Sequence, residues 1–214
     1  MAAHRESNGL SAEDRGRLRE AAVAQFQASL DVPVAFFEEH ADRVSQACWD
    51  MARRFHRGGR LLVFGNGASV SDAQHVSVEF VHPILVGKRA LPAIALPNDI
   101  ATVLGLTQAS SVDEVFSRQL EVLGRPGDIA MGISPDGGGR NILRGLERAK
   151  AMRMLTLALA GGDGGDLAKA GCADHVFVVG ASNPLTVQEV HETLYHVLWE
   201  LVHVFFEHKG LLGE

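Results

Sequence analysis

Three short apolar segments each run directly into a glycine-rich turn, and this repeated pattern constrains the fold more than any other feature of the chain. The segments are 61–64, 128–133 and 155–160, and the turns that follow them are 65–67, 134–139 and 161–165. Apolar segments of this length that alternate with helical patterns predict a parallel sheet with helices on both faces. Ligands of such sheets lie beyond the carboxyl ends of the strands. We therefore expect the three turns to converge on one crevice.

The first of these units carries the residues best suited to chemistry. Residues 61–79 predict a buried strand, the turn 65–67, a helix cap at Ser69 and then a helix. A helix start presents free N–H groups, which form a site for an anion or a hydroxyl. His75 and Glu79 are four residues apart and therefore share one face of this helix. From the spacing alone, a surface ion pair and a functional pair both stay open.

Helix and strand signals predict the remaining elements. Ser11 and Asp14 form a capping box that begins a first helix, and Pro33 ends that run before a second helix over 33–55. Further strands are predicted at 92–96 and 175–179, and further helices at 99–106, 112–123, 140–151 and 184–208. The prediction is a five-stranded parallel sheet preceded by two N-terminal helices. We expect a helical segment at 1–57 that contacts other subunits, and an α/β unit at 58–214 that forms one globular unit with it.

Length and charge restrict the class of protein. The 214 residues are enough for one α/β domain with a full core, and the formal net charge of −6 argues against a nucleic-acid or anionic membrane surface. No apolar run approaches the length of a membrane span, and the first twenty residues lack an apolar signal region. Cys48 and Cys172 are far apart and lack metal-ligand spacing, which predicts reduced thiols in a cytoplasmic protein.

Taken in order, the motifs resemble those of phosphoheptose isomerases, which are sugar isomerase (SIS) domain proteins. The resemblance covers residues 36–205 and rests on FGNGASVSDAQHVSVEF, LPAIAL, VFSRQLEVLGRPGDIAMGIS, LALAGGDGGDLA and VQEVHETLYHVLWELVH. It implies a three-layer, flavodoxin-like fold and a homotetramer whose active sites are shared between subunits. It also implies the interconversion of sedoheptulose 7-phosphate and a heptose 7-phosphate, with bound zinc.

The resemblance further implies roles for individual residues. The zinc ligands would be His75, Glu79, Gln188 and His196. Glu79 and His196 would also be the catalytic pair, because an aldose–ketose isomerisation needs a base, an acid and a group that stabilises the enediol oxygen. The substrate would be bound by Asn66, Gly67, Ser69, Ser134, Asp136, Gly137 and Gln188. His191 is interpreted as an outer partner of the metal site or a subunit contact, and His203 and His208 as solvated or interface residues.

Several positions depart from the family pattern. The family's phosphate turn reads roughly STSGNS, whereas residues 134–139 here read SPDGGG. Pro135 removes a backbone donor, and Asp136 brings a negative charge to the place of a phosphate. A family arginine corresponds to Pro83, and two family aspartates correspond to Ala109 and to a position near Leu185. The residues for proton transfer and metal binding are present, whereas most of those that bind the sugar phosphate are altered. We therefore expect weaker phosphate binding.

Three functions remain to be compared. The first is a metal-assisted isomerase of a sedoheptulose phosphate or a related sugar phosphate. The second is a divergent SIS protein that keeps the metal site but binds or converts a different sugar ligand. The third is a non-enzymatic binding module, which the presence of both Glu79 and His196 disfavours. Nucleotide binding at the turn 161–165 is disfavoured because the GxGxxG spacing and a phosphate-binding lysine are missing.

Overall fold

The computed structural model describes residues 10–212, and its elements follow the order that the sequence predicts. The strands are β1 (Leu61–Gly65), β2 (Ala93–Ala95), β3 (Ile129–Ser134), β4 (Leu155–Gly161) and β5 (His175–Val179). The helices are α1 (Ala12–His56), α2 (Ser69–Val81), α3 (Ile100–Ala109), α4 (Val115–Leu123), α5 (Arg140–Ala151), α6 (Gly165–Lys169) and α7 (Pro184–Glu207). Short 3-10 turns lie at Leu96–Asn98, Val112–Glu114 and Lys209–Leu211. The strands are all parallel and lie in the order β2-β1-β3-β4-β5, which confirms the predicted fold class.

The sheet separates two apolar cores. Alternate residues of a strand point to opposite faces, so Leu61 and Val63 belong to the core under α1, α2 and α7, and Leu62 and Phe64 to the core under α3–α6. Strands β1, β3 and β4 are buried along their whole length, as expected for a parallel sheet covered on both sides. The layers are therefore helix, sheet and helix. None of the helices in the described part of the chain combines the length and apolar character needed to cross a bilayer.

The two predicted N-terminal helices are one helix of 45 residues, so the predicted break at Pro33 is wrong. A proline inside a helix removes one N–H bond and costs about 3 kcal/mol, which contacts on both sides of it can offset. Before Pro33, Gln25 makes hydrogen bonds with Thr186 and Asn183 at the start of α7. After it, buried residues from Phe36 onward pack into the core under α1. Tertiary contacts therefore override the local signal.

Candidate active site

The three glycine-rich turns meet at the carboxyl edge of the sheet, as the sequence predicted. Asn66 of the first turn and Asn141 of α5 exchange two side-chain hydrogen bonds of 2.8 and 2.9 Å. The second and third turns touch through their backbones, since a Cβ added to Gly137 would lie 2.1 Å from the carbonyl oxygen of Gly164. Gly137 also has a φ of 67°, which favours glycine. The contact between these turns therefore depends on this residue having no side chain.

A cavity of about 540 Å³ lies over these turns. Its lining includes Asn66, Gly67, Ser134, Asp136 and, from the segment before α7, Ser182. The volume is ordinary for a small-molecule site. Within residues 10–212, no lysine or arginine side chain lines this cavity. Four of the seven predicted substrate-binding residues therefore line one cavity, and that cavity lacks a cation.

The side chain of Asp136 folds back onto its own turn. Its Oδ1 accepts a hydrogen bond of 2.9 Å from the backbone N–H of Gly138 and lies 2.8 Å from the hydroxyl of Ser134. The Gly138 N–H, followed by the Ser134 hydroxyl, lowers the pKa of Asp136, so the carboxylate is ionised at neutral pH. Arg140, at the start of α5, is exposed, and its Nε lies 3.6 Å from Asp113. The guanidinium therefore pairs with a different carboxylate.

The sequence predicted Ser69 as the cap of α2, and this prediction is wrong, because Ser69 is the first residue of the helix. The N-cap is Ala68, whose own side chain has no oxygen to bond the free N–H groups. The Ser69 hydroxyl is fully buried and lacks a hydrogen-bond partner within the described residues. Buried hydroxyls are rarely left unpaired, and this one lies near the carboxylate of Asp72, whose pKa it lowers.

Helices α2 and α7 run side by side and face each other in three successive pairs. Gln188 lies against Asp72, Glu192 against His75, and His196 against Glu79. Residues three or four apart share a helix face, which explains why each helix contributes three side chains to one seam. The predicted His75, Glu79 and His196 therefore all lie in this seam.

The predicted catalytic pair is in direct contact. Glu79 Oε1 is 3.1 Å from His196 Nε2 and 3.4 Å from His75 Nε2. The Nε2 atom of His196 is buried, yet it has no partner of hydrogen-bond geometry in the described structure. The 3.1 Å contact is therefore a close approach of two ligand-type atoms and not a hydrogen bond. An orphaned imidazole nitrogen that faces a carboxylate is a donor set of the kind that divalent metals bind.

Gln188, the fourth predicted metal ligand, is hydrogen-bonded within the seam. Its side-chain amide donates a hydrogen bond of 2.9 Å to Oδ1 of Asp72, a buried residue whose pKa is raised, chiefly by burial. Oε1 of Glu192 lies 3.6 Å from Nδ1 of His75. One ligand atom each from His75, Glu192 and His196 lie within 4.8 Å of one another, so these residues form a possible metal-binding group.

Sequence reasoning missed Asp72, Glu192 and Tyr195. Asp72 precedes His75 by three residues, and Glu192 lies midway between Gln188 and His196 at intervals of four. That spacing was a signal which could have found both carboxylates. The Tyr195 hydroxyl lies 3.0 Å from Nδ1 of His75, and this contact has no local signature in the sequence. Because the Tyr195 hydroxyl contacts Nδ1, the other ring nitrogen of His75, Nε2, faces Glu79.

Two histidines of α7 differ from their predicted roles. His191 is fully buried and its Nε2 lies 3.1 Å from the carbonyl oxygen of Ala160, so it joins α7 to the end of β4 and not to the metal-binding group. His203, predicted to be solvated or at an interface, is buried between the carbonyl oxygens of Trp199 and Arg89. Both rings lie on the side of α7 that faces the core. The sequence does not show which histidines of α7 face the core.

The fold and the convergent turns are those of a sugar isomerase domain, and the SIS domain family matches residues 25–161. The chain belongs to the phosphoheptose isomerase family. It is 42% identical over 179 residues to the phosphoheptose isomerase of Desulfovibrio desulfuricans, a match covering 83% of this chain and 84% of that protein. The phosphoheptose isomerase of Aquifex aeolicus is 38% identical over 177 residues, or 83% of this chain and 92% of that protein. The solved phosphoheptose isomerase of Neisseria gonorrhoeae superposes with a TM-score of 0.80 at 29% identity, covering 86% and 98% of the two chains.

Proposed function

We propose that this protein is an aldose–ketose isomerase that interconverts sedoheptulose 7-phosphate, or a related sugar phosphate, and the corresponding aldose. The observation that carries the proposal is the contact of 3.1 Å between Glu79 and His196, in a chain whose relatives are named phosphoheptose isomerases. A carboxylate and an imidazole side by side provide the base and the acid that this reaction needs.

Glu79 is the base in this mechanism. Its carboxylate takes the proton from one carbon of the substrate and returns a proton to the neighbouring carbon. His196 donates a proton to the carbonyl oxygen as the enediol forms. In the second half of the same turnover it takes the proton of the neighbouring hydroxyl, whose oxygen becomes the new carbonyl. Asn66, Gly67, Ser69, Ser134, Gly137 and Gln188 bind the hydroxyl groups and the phosphate. A bound Zn²⁺ would polarise the carbonyl and stabilise the developing enediol oxygen.

Two spacings between donor atoms in the seam between α2 and α7 are those that zinc ligands have. Two ligands at 2.0–2.1 Å from a tetrahedral zinc lie about 3.3 Å apart. The spacings of Glu79 Oε1 from His75 Nε2 and from His196 Nε2 are 3.4 and 3.1 Å. We propose that His75, Glu79 and His196 hold the ion, with Gln188 as the predicted fourth ligand. Glu192, which lies within 4.8 Å of ligand atoms of His75 and His196, is a second carboxylate within reach. The test is metal analysis after zinc loading, in which His75→Ala should lose the metal and the exposed His208→Ala should keep it. Equal, low occupancy in wild type and His75→Ala would reject this assignment.

The function is tested directly with a panel of five- to eight-carbon ketose phosphates, with and without zinc. Turnover of sedoheptulose 7-phosphate is the expected result. Glu79→Gln keeps the shape of the side chain but removes the base, so we expect a loss of about a hundredfold or more. Glu200→Gln is the matched control, because Glu200 is an exposed carboxylate on α7. Unchanged turnover in Glu79→Gln would reject the role of this residue for every sugar in the panel.

We also propose that the chain forms a homotetramer in the cytoplasm, with active sites shared between subunits. The first half of α1 exposes the apolar side chains of Leu18, Phe26, Leu30 and Val34, spaced at intervals of four or eight. An exposed apolar stripe of this kind favours contact with a second copy. A contact role for the predicted segment 1–57 fits this, although residues 1–9 lie outside the described structure. The free, buried thiols of Cys48 and Cys172 fit a reducing compartment. A monomer in light scattering would refute the assembly.

One observation favours the second function considered above, an SIS protein that keeps the metal site but takes a different sugar. The cavity over the glycine turns contains the Asp136 carboxylate and lacks a lysine or arginine side chain in the described part of the chain. Turnover of a non-phosphorylated ketose at a higher kcat/KM than its phosphate ester would establish this alternative. The reverse order of kcat/KM would exclude it.

A further inference from the structure

The turn between β3 and α5 offers two donors to an anion, the Gly138 N–H and the Ser134 hydroxyl. Asp136 accepts from the first, and it shares the second with the carbonyl oxygen of Gly138, which lies 2.9 Å from that hydroxyl. The backbone N–H of Gly138 donates to Asp136 Oδ1 at 2.9 Å, and the hydroxyl of Ser134 lies 2.8 Å from the same oxygen. Backbone N–H groups and a serine hydroxyl are the groups that hold phosphate oxygens at a turn before a helix. A carboxylate oxygen of the protein therefore stands where a phosphate oxygen would be bound.

A phosphate cannot share these donors with the carboxylate. An oxygen bonded to the Gly138 N–H and the Ser134 hydroxyl would occupy the place of Asp136 Oδ1, and two negative charges so close repel each other strongly. No neighbouring cation relieves this repulsion, because Arg140 pairs with Asp113 and no lysine or arginine of the described structure lines the cavity. Asp136 is an exposed residue, so its side chain has room to turn towards solvent.

We propose that Asp136 is a specificity-determining residue whose carboxylate acts as an internal competitor for the phosphate of the substrate. Binding exchanges one anion for another: the carboxylate leaves Gly138 and Ser134, and the phosphate takes both hydrogen bonds. This inference rests on the proposed function, since it assigns a phosphate to this cavity. It makes affinity for the phosphate group a property set mainly by one side chain. A sugar phosphate that binds in this cavity is then recognised more through its hydroxyl groups than through its phosphate.

The chain supplies a matched control in the next glycine turn. Asp163 Oδ1 accepts a hydrogen bond of 3.0 Å from the N–H of Gly165, which is the same two-residue arrangement. Asp163 does not line the cavity, and its other oxygen lies 3.3 Å from Lys169. A substitution there removes one negative charge from a neighbouring turn but none from the lining of the cavity.

The experiment is calorimetric titration of the full-length protein with inorganic phosphate and with sedoheptulose 7-phosphate. Asp136→Asn keeps an oxygen for Gly138 and Ser134 but loses the charge, and Asp136→Ser replaces the carboxylate by a hydroxyl. Both variants should bind inorganic phosphate at least tenfold more tightly than wild type, and the tightening should appear in KM for the sugar phosphate. Asp163→Asn should bind as wild type does.

The outcomes separate this inference from the proposed function, because titration with inorganic phosphate needs no turnover. Unchanged or weaker phosphate binding in both Asp136 variants would overturn the competitor role, even if sedoheptulose 7-phosphate is isomerised. Equal tightening in Asp163→Asn would also overturn it, since net charge would then be the cause. If the Asp136 variants bind phosphate more tightly but the wild type isomerises no sugar phosphate, the competitor role of Asp136 is supported and the proposed isomerase function is rejected.

Discussion

Acidification should destabilise this protein through His191. The ring is fully buried under α7, with Nε2 against the carbonyl oxygen of Ala160, and Nδ1 has no partner within residues 10–212. Burial lowers the pKa of His191 from its ordinary 6.5 to about 4, and the hydrogen bond to Ala160 offsets only part of that. The native state therefore binds this proton less readily than the unfolded chain, so protonation favours unfolding.

The sign and size of the effect follow from the two pKa values. Above 6.5 the ring is neutral in both states and contributes nothing, and the loss of stability grows as the pH falls from 6.5 towards 4. The difference of 2.5 between these pKa values corresponds to a limiting loss of about 3.4 kcal/mol. At pH 5 the same values give about 2 kcal/mol. That is a large fraction of the stability of an ordinary domain.

The assay is urea unfolding of wild type and His191→Gln at pH 7.5 and pH 5. Glutamine can donate a hydrogen bond to Ala160 but does not titrate, and the measurement at pH 7.5 gives the cost of the substitution itself. Between the two pH values, wild type should lose about 2 kcal/mol more of its unfolding free energy than the variant. Equal losses in the two proteins would refute this assignment, because the destabilising proton would then bind elsewhere.

Three further predictions concern single contacts. Gly137→Ala should separate the second and third turns, because its Cβ would meet the Gly164 carbonyl oxygen at 2.1 Å. Urea unfolding should show a free energy of unfolding lower by about 1–3 kcal/mol, and phosphate should bind more weakly. Tyr195→Phe removes the hydroxyl 3.0 Å from His75, so chelator competition should show zinc bound about 10–100-fold more weakly, whereas Thr193→Val should not change it. Phe26→Glu places a charge in the apolar stripe of α1, and light scattering should then show a smaller assembly than for wild type.

Local sequence patterns predict the sheet, the glycine turns and most of the seam between α2 and α7. Buried strands, amphipathic helices and glycine turns depend on residues close together in the chain, so their patterns can be read without the fold. The predicted start of α5 and both ends of β5 agree with the structure. His75 and Glu79 share a face of α2 because of helix geometry alone, and the resemblance to known isomerases supplied His196 as their partner.

Three features depend on residues far apart in the chain and are visible only in the folded structure. Helix α1 continues through Pro33 because Gln25 binds the start of α7 and the residues after Phe36 pack on the sheet. Glu192 joins the metal-binding group because α7 lies against α2 in one particular register. Asp136 turns onto Ser134 and Gly138 because the backbone of that turn, held by the neighbouring turn at Gly164, points both donors at its carboxylate. Contacts between residues far apart in the chain leave no local pattern, so the sequence places these side chains near the site but does not decide what each one binds.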